Sequence, residues 1–233
     1  MPFFLGGIPV TLEITFLAMA VAIPVAIVLA LGRKSAHGLL RWPAGFVIEF
    51  FRGSSALVQL FWAFYVLPLF GLTLPAFVCG VLVLGMNTGS YMAELVRAGL
   101  DAVPKGQREA SVALGLPPFY RFCRIILPQA LPLMVPPFGN ELITMLKFTA
   151  LVSLVTIQDL SFRASLIGDT LGDNAAIFGL TIMVYFVLAL ILAALVRLLE
   201  RAVARWAGRR LPAHATDPSR TSRVPMWAVG GGG

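Results

Sequence analysis

Three stretches of the chain carry no charged residue: Ile14–Gly32, Gly53–Ala93 and Asn174–Val196. A helix crossing the hydrocarbon core of a bilayer needs about 20 apolar residues. The first and third runs are each about one span long. The middle run is about twice that length and is interrupted by Pro68, Gly71 and Pro75, so it reads as two helices joined by a short turn. A further stretch, 131–154, is mostly apolar but holds Asn140, Glu141, Thr144 and Lys147. It opens on Pro132, Pro136 and Pro137, and a span with an irregular start is expected. The expected spans are therefore 8–31, 55–71, 74–95, 131–154 and 175–199. Five is an odd number, which puts the two termini on opposite sides. The fold class is an all-α integral membrane protein.

Composition agrees. The 233 residues are 58% hydrophobic and 12% charged, with a mean hydropathy of +0.88. Soluble domains run at about 45–50% apolar and about 25% charged. Too few polar residues remain to coat a soluble fold, and a disordered chain would show the opposite bias. The charge that remains is lopsided, 18 Lys+Arg against 11 Asp+Glu. Sixteen of the cations fall in segments on one side: Arg33 to Arg52, Arg97 to Arg124, and seven arginines from Arg197 to Arg223. Only Arg163 lies on the other side, and Lys147 is inside a span. Cytoplasmic loops are enriched in Lys and Arg. The N-terminus is therefore expected outside and the C-terminus inside, and the basic excess is a topology signal that calls for no nucleic acid. The N-terminus lacks a basic leader and a clear cleavage site, so the first helix is expected to be retained. Cys79 and Cys123 are poorly placed to pair, and without a His cluster they make no metal site. Residues 204–233 are polar, end in four glycines and are expected to form a flexible cytoplasmic tail, leaving 1–203 as the membrane domain. There is no internal repeat, and five spans leave no room for the inverted halves of many secondary transporters.

The segment 101–128 is longer than a linker requires. Pro104 suits the first turn of a helix, Ala110, Val112, Ala113 and Leu114 continue it, and Gly115 is suited to end it. Pro117 or Pro118 starts a second short helix that Pro128 is expected to stop. Val112, Leu116, Phe119, Phe122 and Ile126 would anchor the pair at the membrane surface.

Within that segment, Glu109-Ala110-Ser111, then Gly115, then Ile125 and Leu127-Pro128 resemble the EAA loop. This loop marks permease subunits of binding-protein-dependent ABC importers. Ser111 in place of a second Ala is a mild departure. The stretch Glu49–Gln59 is similar to the segment before the second span of polar amino-acid permeases, where Thr-Pro more often follows Arg-Gly. Tyr91–Arg97, Pro104–Gln107, Leu127–Ala130 and Gly139-Asn140 also fit, so the resemblance covers roughly residues 10–200. It implies the type I importer fold and a cytoplasmic coupling helix that docks into a groove of an ATPase subunit. The coupling residues it implies are Arg108, Glu109, Ala110, Ser111, Gly115 and Arg121.

Polar groups inside a membrane are costly and usually face a cavity or a partner helix. Asn140, Glu141, Thr144, Lys147 and Phe148 recur at helical spacing on roughly one face. With Thr149 they form the candidate substrate path, in which one acid and one base could receive a zwitterion. Relatives usually read Lys-Asp-Thr-Ser where this chain has Lys147-Phe148-Thr149-Ala150. Losing that carboxylate argues against a strictly cationic substrate. An aromatic face suits a delocalised cation, and the stretch faintly resembles permeases of the ectoine and hydroxyectoine branch. The competing reading is that Glu141 and Lys147 pair across a dimer interface. Asn87, Tyr91 and Glu94 are expected to make interhelical hydrogen bonds, and Gly85, Gly89 and Gly99 close helix contacts.

No Gly-x-x-x-x-Gly-Lys-Ser/Thr phosphate loop is present, and no catalytic residue is assigned. The resemblance implies that ATP and Mg sit on a partner ATP-binding subunit dimer. A second permease, the same or paralogous, and an extracytoplasmic solute-binding protein complete the implied complex in the bacterial inner membrane, surrounded by lipid. The implied function is ATP-driven import of a polar amino acid or a similar compatible solute by alternating access. A self-sufficient channel or carrier would explain the helices but not the folded loop, and a membrane enzyme lacks a cluster of acid, base or His groups at one depth.

Overall fold

The computed structural model describes residues 2–206, and every regular element among them is helical. A short turn, α1 (Pro2–Leu5), leads into α2 (Gly7–Lys34). Next come α3 (Gly38–Gly53) and α4 (Ala56–Phe61), the latter continued by a π-turn at Trp62–Val66 and a 3₁₀ turn at Leu67–Phe70. The long helix α5 (Ala76–Asp101) precedes α6 (Lys105–Ala113) and α7 (Pro118–Arg121). A π-turn at Phe122–Ile126 then joins α7 to α8 (Leu127–Phe148), and a 3₁₀ stretch follows at Thr149–Val155. The last helices are α9 (Leu160–Leu171) and α10 (Asn174–Trp206).

Four helical stretches are long and apolar enough to cross a bilayer: Phe3–Lys34, Ala76–Asp101, Pro118–Val155 and Asn174–Arg205. A fifth candidate is a broken one, α3 with Ala56–Phe70, bent by 104°. The expected turn between the second and third spans is in place. Pro68 sits in the 3₁₀ turn, Gly71 adopts φ +85° and Pro75 caps α5.

Two helices were not expected. Helix α3 interleaves Leu39, Trp42, Phe46 and Phe50 with Arg41, Glu49 and Arg52, and the charges hide it from a search for charge-free runs. Helix α9 is only 12 residues long; its carboxylate cap at Asp159 and its terminating Gly172 (φ +72°) bound it. One expectation is corrected. Pro128 does not stop the second loop helix; it lies in the first turn of α8, where a missing N–H costs little, and the π-turn carries the chain through. Helix α10 runs past the expected end at 199 as far as Trp206, and the rest of the expected tail lies outside the described residues.

The core is built on small residues. Ala18, Ala22, Ala26 and Ala30 are fully buried at four-residue spacing on α2, facing α5. A Cβ on Gly85 would lie 2.8 Å from Val21 Cβ and 3.0 Å from the Ala18 carbonyl oxygen. At Gly89 the nearest atom would be Val25 Cγ1, 2.7 Å away. The expected close contacts at these glycines are therefore present, and Gly99 meets Met134 of α8 in the same way. Lipid tails offer no hydrophobic driving force between helices, so such packing carries much of the association. Gly139 does this for α8 against α10, where a Cβ would run into Val196.

The charges separate by end. Arg33, Lys34, Glu49, Arg52, Glu94, Arg97 and Asp101 line one cleft of about 570 Å³ where α2 and α5 finish. Lys34 pairs with Asp101, and Arg97 with Glu94 at 2.6 Å. Arg163 is at the opposite end, donating to the Phe3 carbonyl at 2.9 Å and lying over its ring.

Candidate coupling loop and translocation face

Helix α6 is a nine-residue element with a well-formed stop. The Leu116 N–H donates to the Ser111 carbonyl at 3.2 Å and the Gly115 N–H to the Val112 carbonyl at 2.9 Å. With Gly115 at φ +67° this is a Schellman motif, which satisfies the last carbonyls of the helix. One face turns back on the body. Ser111 is buried and donates to the Arg108 carbonyl at 2.6 Å. The Arg108 guanidinium donates to the Leu100 carbonyl, tying α6 to the last turn of α5, while its Nε is buried without a partner among the described residues. Glu109, Ala110 and Ala113 are exposed. The exposed acid is thus flanked by small side chains, a shape that lets another helix or groove approach closely.

The expected membrane anchors divide. Phe122 and Ile126 pack on the core beside Met134, whereas Val112 and Phe119 are 57% and 79% exposed. Arg121 is half-buried and Arg124 exposed.

On α8 the candidate path residues share a surface in part. Asn140 and Lys147 are exposed, and Glu141, Thr144 and Phe148 are half-buried. The Thr144 hydroxyl donates to the Asn140 carbonyl at 3.0 Å. Among the described residues neither Glu141 nor Lys147 has a salt-bridge partner. Thr149 stands apart: it is fully buried and its hydroxyl is used on the Leu146 carbonyl at 2.7 Å.

Interhelical hydrogen bonds appear where α5 was expected to make them. Asn87 Nδ2 donates to the Phe51 carbonyl at 3.0 Å and to Gln59 Oε1 at 3.1 Å. Gln59 Nε2 donates in turn to Ser54 Oγ at 2.7 Å, so one network secures the α3–α4 break. The Tyr91 hydroxyl donates to the Arg52 carbonyl at 3.2 Å, with the Arg52 guanidinium over its ring. Glu94 pairs within its own helix instead. A cavity of about 600 Å³ opens at this break, lined by Phe50, Phe51, Ser54, Gln59 and Trp62 and by none of the α8 path residues.

A buried polar cluster at the end of the bundle where α2 begins was not expected from the residue pattern. Asp159 is fully buried between the 3₁₀ stretch and α9. Its carboxylate accepts from the Phe162 N–H at 2.9 Å and the Tyr185 hydroxyl at 3.3 Å. Ser161 shares that hydroxyl at 3.1 Å, and the Leu160 N–H donates to Thr11 Oγ1 at 3.1 Å. Burial pushes the Asp159 carboxyl up to about 6, against the opposing pull of these hydrogen bonds. Its partner Tyr185 lies on α10, 26 residues on, a pairing that no local pattern encodes.

Among the described residues no three His, Cys, Asp or Glu side chains gather as a metal group would need, and both cysteines are free.

Residues 22–205 match the family described as binding-protein-dependent transport system inner membrane component. A probable amino-acid ABC transporter permease protein of Sinorhizobium fredii is 38% identical over 86% of this chain and 87% of its own. An octopine transport system permease protein of Rhizobium radiobacter is 37% identical over 92% and 90%. Among solved structures, an amino acid ABC transporter crystallised with histidines superposes with a TM-score of 0.81 at 36% identity, over 86% of this chain and 94% of that one.

Proposed function

We propose, from the premise that this chain belongs to the binding-protein-dependent transport system inner membrane component family and is an amino-acid ABC importer permease of the inner membrane, that α6 is its coupling element and α8 its substrate face. Such systems work with an ATP-binding subunit and a solute-binding protein. ATP and Mg belong to that separate subunit, so this chain hydrolyses nothing itself. The N-terminus lies outside and five spans cross the membrane, α3 and α4 together making the broken one. Closure of the ATPase dimer pushes on the exposed Glu109–Ala110 face of α6. Arg108 passes the push to α5 through the Leu100 carbonyl, and the π-turn passes it to α8. A second permease, the same or paralogous, completes the path beside Asn140, Glu141, Thr144, Lys147 and Phe148. The substrate is a zwitterion, met by Glu141 and Lys147.

The observation that carries this reading is the closed Schellman stop at Gly115, which makes α6 a rigid body where a flexible loop would absorb the push. Gly115→Val places a β-branched residue at φ +67°, where even ordinary side chains cost about 1–2 kcal/mol. ATPase association and ATP-driven uptake in proteoliposomes should each fall roughly tenfold, and Gly115→Asn, which tolerates that conformation, should retain most of both. Wild-type levels in the Val variant remove the coupling role. Uptake that persists without ATP or the ATPase favours a channel or carrier.

A further inference from the structure

Where α2 ends and α3 begins, Arg33, Arg41 and Trp42 line an open pocket of about 410 Å³. It adjoins the acidic and basic cleft, whose lining it shares at Arg33. There, Lys34 is neutralised by Asp101, and Arg97 by Glu94 and Asp101. Among the described residues no carboxylate lies within ion-pairing distance of Arg33 or Arg41. Two guanidinium groups line one pocket, and neither is engaged in an ion pair among the described residues. The pocket also lies at the first turn of the 16-residue helix α3, whose dipole adds positive potential.

The side chains beside the pocket are apolar. Leu39, Trp42, Phe46 and Phe50 follow one another at three- and four-residue spacing on α3 and are 91%, 76%, 71% and 54% exposed. The buried side of the same helix is Ala44, Gly45 and Ile48, against α2 and α5. An exposed stripe of this size, continuous with a tryptophan at a charged rim, is what the junction of acyl chains and headgroups demands. Gly45 has a specific part in this. The Arg33 guanidinium lies where a Cβ of residue 45 would stand, so the missing side chain lets Arg33 tuck against α3.

We infer that this pocket is a binding site for an anionic phospholipid. Arg33 and Arg41 hold the phosphodiester, Trp42 lies at the glycerol level, and the acyl chains run along Leu39, Phe46 and Phe50. The bound lipid fixes the start of α3 against the end of α2. Charge complementarity selects the occupant: a second protein chain on the same stripe would leave the two guanidiniums unpaired unless it brought carboxylates to them, whereas a lipid brings an anion and an apolar body together.

The test is native mass spectrometry of the full chain purified in detergent and titrated with phosphatidylglycerol or phosphatidylcholine. Each basic group near a lipid surface contributes about 1 kcal/mol, so a preference of roughly tenfold or more for phosphatidylglycerol is expected. The Arg33→Gln/Arg41→Gln double variant should lose that preference. Gly45→Ala, which displaces only the end of the Arg33 side chain, should reduce it. Lys34→Gln removes the cation next in sequence to Arg33, which is paired with Asp101 and does not line the pocket, and should leave it intact. The site is overturned if Lys34→Gln costs as much as the double variant, or if the double variant binds phosphatidylglycerol as wild type does. Displacement of the lipid by millimolar inorganic phosphate would show a small-anion site instead. Loss of a co-purifying permease partner with lipid binding unchanged would show a protein interface.

Discussion

A buried carboxylate with a hydroxyl and an N–H as partners is a residue whose protonation state changes what it contributes. Asp159 lies between the spans, and its carboxyl titrates near 6 in the folded chain against 3.8 when free. Between those values the folded state holds a proton that the unfolded state has released. Stability from this group is therefore fully present below about pH 4 and falls as pH rises toward 6, by about 3 kcal/mol at most. Asp159→Asn keeps an acceptor for the Phe162 N–H and remains a good N-cap, but cannot ionise. Melting temperatures of the wild-type chain, less those of the Asn variant, should decline from pH 4 to pH 6 and level off above pH 7. A flat difference would mean that the carboxyl is hydrated and not titrating as a buried group.

The helical elements depend on how closely backbones approach. Gly85→Ala puts a Cβ against Val21 Cβ and the Ala18 carbonyl, neither of which is the free end of a flexible side chain. Overpacking of this kind costs about 1–3 kcal/mol. Gly179→Ala on α10 meets nothing within 4 Å and should be neutral or stabilise by up to about 1 kcal/mol. Thermal unfolding in detergent separates the two; equal effects would mean that α2 and α5 are not held by small-residue packing. These elements also mark what a sequence can reveal. The charge-free runs located α2, the Ala56–Phe70 piece, α5 and α10, because exclusion of charge is a direct imprint of the bilayer. Helix α6 was legible down to its terminal glycine, because Pro104 and Gly115 act through local backbone geometry. Helix α3 was not legible, since its charges interrupt the apolar run, and two of them, Glu49 and Arg52, line a cleft that exists only once α2 and α5 are assembled. The continuation through Pro128 was missed for a related reason: a π-turn is decided by the packing of Phe122 and Ile126, not by the proline beside it.

At the scale of the whole molecule, the proposed substrate face on α8 is one that this chain presents without filling. Glu141 and Lys147 have no salt-bridge partner among the described residues, and the nearby Phe148 is an aromatic where the family resemblance implies Asp. One acid and one base suit a zwitterion. A side chain with a further positive charge finds no second carboxylate, and an unpaired charge within a membrane protein is costly. The aromatic ring favours a delocalised or partly apolar cation instead, which keeps ectoine-like solutes within the proposed range. Phe148→Asp restores the missing acid, so arginine should compete for uptake about tenfold better in the assembled transporter, while a neutral amino acid should compete no better or worse. Glu141→Gln should weaken both competitors, because it removes the group proposed to meet the common α-ammonium. The readout is inhibition of labelled substrate uptake at fixed ATP, with ATPase association measured in parallel to exclude an assembly defect. If Phe148→Asp leaves the arginine ratio unchanged while association is intact, α8 does not face the substrate, and the path must run along the cavity at the α3–α4 break.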